Sequence, residues 1–112
     1  MITKYLYLKT VDSEKYILTE EDKANMQNII KDMNPQLVNI FIDSLIHDTI
    51  EKLVSNKEHM NLNMVQGRNP MISAQEATAL DEEFSSLYLT DKELKKKYHC
   101  LRWLQDYIKE NN

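Results

Sequence analysis

Asp43, His47 and Glu51 recur at four-residue intervals, the spacing that stacks side chains along one ridge of an α-helix. A histidine flanked by carboxylates favours its protonated form and can carry a proton, so the ridge is a candidate acid–base or metal site. The surrounding residues do not extend that pattern. The Glu-x-x-His pairs of a di-iron bundle are missing, and so is His-Glu-x-x-His. A solvated helix face accounts for the same three residues more simply.

The C-terminal stretch offers a second chemistry. Residues 91–112 carry six basic and four acidic side chains, with Lys92, Lys95, Lys96 and Arg102 close together and tyrosine and tryptophan nearby. A basic helix of this kind can meet a phosphate backbone. The whole chain has a formal net charge of −4, which argues against general nucleic-acid binding. Only two arginines are present, and arginine is the usual reader of bases. His99 and Cys100 are adjacent, so on a helix they diverge by about 100° and do not share a proton or a metal. A buried structural thiol is the simpler reading of Cys100. One cysteine and one glycine provide neither zinc-ligand spacing nor a phosphate-binding loop. No catalytic residue, cofactor or metal is assigned on these grounds.

A third constellation is aromatic. Residues 2–8 alternate, with Ile2, Leu6 and Leu8 on one side and Tyr5 and Tyr7 on the other; residues 15–18 are again β-prone. This pattern predicts a short β-hairpin over 1–18, with an irregular arm as the alternative. Tyr5, Tyr7 and Tyr16 would then form an exposed aromatic face beside an open strand edge, an interaction surface for another protein or a second copy. Met26, Met33, Met60, Met64 and Met71 add adaptable apolar surface, more simply read as core filler.

These residues have to be positioned by helices. Thr19 with Asp22 has capping-box spacing ahead of Met26, Ile29, Ile30 and Met33. Asn34 and Pro35 are suited to the N-cap and first position of the next helix. That helix carries Leu37, Val38, Phe41, Ile42, Leu45, Ile46, Ile50 and Leu53 on a broad arc. Whether it stops at a second capping-box match, Ser55 with Glu58, or runs to 66 is open at this level. Gly67 is suited to the residue just past a helix end, and 67–72 reads as a loop. Ser73 with Glu76, and Thr90 with Glu93, predict two further helices over 73–110, joined at Leu89-Thr90.

The chain as a whole reads as one domain over 1–112, mainly α: a compact bundle of four to five helices with a short N-terminal β-hairpin. At this length roughly two-thirds of the unfolded surface can be buried, so no disulfide is needed. The lone cysteine fits a reducing compartment, and no apolar run approaches a membrane span or a signal-peptide core, so a cytoplasmic location is expected. The function expected is a small non-catalytic interaction or regulatory module that binds another protein or itself. A nucleic-acid-binding regulator using the C-terminal helix comes second. An enzyme or metal protein using the Asp43–His47–Glu51 ridge comes third.

Overall fold

The computed structural model describes residues 4–14 and 16–110, excepting the side chains of 4–6. Four helices follow in order: α1 (Lys4–Ser13), α2 (Glu20–Ile30), α3 (Pro35–Gly67) and α4 (Ala74–Glu110). At 1.5 Å per residue α3 and α4 are about 50 and 55 Å long. They pack against each other as an antiparallel hairpin, and the two short helices lie at its base.

Local chemistry explains most of the helix ends. The Thr19 hydroxyl accepts from the Asp22 N–H at 3.0 Å while the Asp22 carboxylate accepts from the Thr19 N–H at 3.2 Å, a complete capping box. Asn34 Oδ1 accepts from the Gln36 N–H at 2.9 Å, with Pro35 at the first turn of α3. Ser73 Oγ accepts from the Glu76 N–H at 3.1 Å and starts α4.

Three expectations are corrected. The N-terminal β-hairpin is absent: residues 4–13 are helical, and no strand occurs among the described residues. Positions Tyr7 and Val11, four apart, share one helical face and are buried at the base, 6% and 0% exposed. Helix formation also satisfies the backbone internally, where a lone hairpin leaves edge groups unpaired. Ile2, Thr3 and Lys15, part of the same expectation, lie outside the described residues. The second correction is the break at Leu89-Thr90. α4 runs straight through it, and the Thr90 hydroxyl donates to the Ser86 carbonyl four residues back at 3.1 Å instead of capping a new helix. α3 likewise passes Ser55 without interruption. Gly67 is the last residue of α3 and has no positive φ, so its conformational freedom is not used.

The third correction concerns shape. The principal extents are 59 × 27 × 23 Å, an elongated molecule and not a compact bundle. The radius of gyration is 17.6 Å, against about 13 Å for a compact chain of this length. The accessible surface is 8152 Å², about 1,700 Å² above the roughly 6,450 Å² that scaling gives a monomer of 13.3 kDa.

The long helices are held by a heptad seam. On α3 the buried positions Ile42, Ile46, Thr49, Leu53, Asn56, Met60 and Asn63 alternate spacings of four and three. On α4 the same rhythm runs without interruption from Ala77 through Leu87, Asp91 and Tyr98 to Ile108. A 3.5-residue period keeps one face of each helix toward the other in a left-handed supercoil. The hydrophobic core fills the base, where Val11, Ile42, Leu53, Leu101 and Leu104 are buried and Met26, Ile30 and Trp103 pack beside them. Beyond Leu53 the seam on α3 alternates asparagine with methionine. Asn56 Nδ2 donates to the Leu87 carbonyl and Asn63 Nδ2 to the Leu80 carbonyl, both at 2.9 Å. The two bonds lie seven residues apart on each helix, so they define one register; a slipped pairing would strand two buried amides.

Candidate functional site

Two places gather polar side chains: the seam between the N-terminal segment and α4, and the ridge on α3. The seam is the more buried. Tyr7 Oη donates to Asp91 Oδ1 at 2.6 Å, and Lys95 Nζ bridges Asp91 at 3.1 Å and Glu14 at 3.2 Å. One turn on, Tyr98 Oη donates to Asp12 Oδ1 at 2.5 Å. Lys96 pairs with Asp22 at 3.4 Å, and Tyr16 stacks on His99 with ring centroids 5.5 Å apart. Apart from Tyr7 with Asp91, acids of the N-terminal third meet bases and a phenol of α4: Glu14 with Lys95, Asp12 with Tyr98 and Asp22 with Lys96.

The electrostatics follow from this packing. Burial, then the bond to Asp91, pushes the Tyr7 phenol well above its ordinary value. Burial and the Asp12 bond push Tyr98 up to about 12. Burial alone would lower Lys95, but its bonds to Asp91 and Glu14 outweigh that and hold it above the usual range. Lys96 is raised by Asp22, and the Cys100 thiol is raised chiefly by burial. Groups whose folded pKa lies above the unfolded value stabilise fully below the unfolded value and lose that contribution as pH rises through the folded one. Stability is therefore expected to start falling near pH 9, where a free thiol ionises and Cys100 does not, and to fall further between about pH 10, where free tyrosine ionises, and pH 12. Urea midpoints on either side of that window check this; an unchanged midpoint would show that the phenols do not contribute.

Chemically, the seam is a dock for α1. Its tyrosines are held protonated as donors, and Asp91 is occupied by two partners. Among the described residues His99 Nε2 is the buried side-chain nitrogen or oxygen left without a hydrogen-bond partner.

The ridge is open to solvent. His47 Nε2 and Glu51 Oε1 stand 4.0 Å apart, their side chains 74% and 52% exposed. Asp43 does not join them: its Oδ1 accepts from Gln105 Nε2 of α4 at 2.6 Å, and Gln105 Oε1 accepts from Arg102 Nη1 at 2.9 Å. No group of three or more His, Cys, Asp or Glu side chains among the described residues is arranged to hold a metal ion. No helix there is long and apolar enough to cross a membrane.

The basic residues do not form one free patch. Lys95 and Lys96 are answered by Glu14, Asp91 and Asp22, Lys92 lies 5.0 Å from the centre of the Tyr88 ring, and Arg102 is turned to Gln105. Of the tyrosines, Tyr7 is buried against Asp91 and Tyr16 is half-exposed on His99; Tyr5 sits on α1, its side chain outside the described residues. Asp91, Asn56 and Asn63 are buried polar residues that no motif in the sequence marks. Their signal was a polar residue at an inner position of an otherwise apolar heptad.

No protein-family model matches this chain, and no curated protein or solved structure shows significant similarity to it.

Proposed function

We propose that the chain is a non-catalytic interaction or regulatory module whose binding element is the α3–α4 hairpin. The observation that carries this is the surplus of surface. About 1,700 Å² of extra accessible area is roughly twice what one partner contributes to an ordinary interface. The hairpin bears Leu62, Val65, Tyr88 and Leu89 in the open. A shallow cleft of about 410 Å³ lies at the turn end between Gln66, Ile72, Leu80 and Glu83.

The other two readings draw less support. Nucleic-acid binding by α4 would use Lys95 and Lys96, whose charges are engaged by acids of the same chain. Acid–base or metal chemistry at Asp43, His47 and Glu51 would need convergence, and Asp43 is turned to Gln105. Affinity capture from the native cell with the wild-type chain and with a Tyr88→Glu, Leu89→Glu variant tests the proposal. Partners that bind the first and are lost from the second support it. An identical set from both would remove the hairpin as the binding element.

A further inference from the structure

α3 has a second stripe, on the side away from the core. From position 37 to 65 its exposed residues recur every three or four positions, the same 3.5-residue average as the seam, so the stripe runs straight along the hairpin. Leu37 and Ile40 stand at one end, 56% and 67% exposed, and Leu62 and Val65 at the other, 54% and 63% exposed. Between them the stripe is polar and includes His47 and Glu51. The arrangement is palindromic. Leu37 and Ile40 precede Glu51 by fourteen and eleven residues; Leu62 and Val65 follow it by eleven and fourteen.

We infer that a second copy of this chain packs antiparallel along the outer face of α3, with a two-fold axis at Glu51. This rests on the interaction reading above and names the occupant. A two-fold interface presents one patch to itself, and a palindromic stripe is its own complement. Leu37 and Ile40 of each copy meet Val65 and Leu62 of the other, over a contact about 42 Å long. The surplus of accessible area over a compact monomer, about 1,700 Å² for the whole molecule, is larger than the roughly 800 Å² per partner that a stable interface buries. Charge selects the direction. Side-by-side parallel helices would set Glu58 on Glu58 and His47 on His47. The antiparallel pairing sets Glu58 opposite Ser44 and His47 opposite Ser55, leaving one self-facing carboxylate, Glu51, with a histidine one turn away on each side. Opposed helix dipoles favour the same direction.

Light scattering and sedimentation over a concentration series test the pairing. The expected result is a mass twice that of the chain. A Leu62→Glu, Val65→Glu variant, altered only at exposed positions, is expected to keep its helical circular dichroism and lose at least about tenfold in dimer affinity. Direction is read by oxidising an Ile40→Cys chain mixed with a Leu62→Cys chain. Antiparallel pairing links the two variants to each other and leaves each alone unlinked, because identical positions lie about 33 Å apart along the axis. A monomer at every concentration, a dimer indifferent to the double glutamate change, or links between identical positions would each overturn the inference. None of these results would touch capture through Tyr88 and Leu89, which stands or falls separately.

Discussion

Leu104→Ala is expected to destabilise the protein by about 2–5 kcal/mol, the range for deleting a fully buried aliphatic side chain. Leu104 is 0% exposed in the core at the base of the hairpin. The surrounding helices are long and held in register by the seam, so they cannot close easily on the space left behind, and the cavity term stays large. Leu89→Ala, fifteen residues earlier on the same helix but 59% exposed, is expected to stay within about 0.5 kcal/mol. Urea denaturation of the two variants checks both figures. A Leu104→Ala loss under about 1 kcal/mol would mean that the base is loosely packed.

The second large effect lies at Asp91. Removing its carboxylate with Asp91→Ala leaves the Tyr7 hydroxyl without its acceptor in a buried site and takes one of two partners from Lys95. The expected cost is about 1–3 kcal/mol, set by the stranded phenol more than by the lost ion pair, which Glu14 partly replaces. Tyr7→Phe is expected to cost less. The Asp91→Ala, Tyr7→Phe double variant is expected to lose less than the sum of the two singles, with a coupling of about 0.5–3 kcal/mol. Strict additivity in the cycle would show that the phenol and carboxylate do not depend on each other.

The residues whose meaning is local were legible. Thr19, Asn34, Pro35 and Ser73 each act within one turn of chain, and each stands at a helix start. Thr90 has the same spacing to an acid yet sits inside a helix, because a seam continuing from Leu87 to Asp91 and Leu94 holds it there. That continuity was present in the sequence, and a seven-residue reading recovers it where a helix-by-helix reading does not. Tyr7 was misplaced for a different reason. Over seven residues an alternating pattern also fits a helix, and the partner that holds Tyr7 in the interior, Asp91, lies eighty-four positions away. Among the arc residues of α3, Leu37 and Phe41 proved exposed while Ile42 and Leu53 form the centre of the core. An isolated helix wheel cannot distinguish an inner apolar face from an outer one.

The change in the seam, aliphatic at the base and asparagine-bridged toward the turn, has a consequence for the order in which the molecule opens. Around Leu53 and Leu104, four helices share the core, and an amide there is expected to exchange its hydrogen only when the whole fold is lost. Near Asn63 and Leu80, two helices hold each other through half-buried contacts and one side-chain amide per heptad. Sub-global opening then begins at the turn and proceeds down the hairpin, so amide protection rises stepwise from Gly67 toward Ile42. The turn half is then expected to open transiently while the base stays folded.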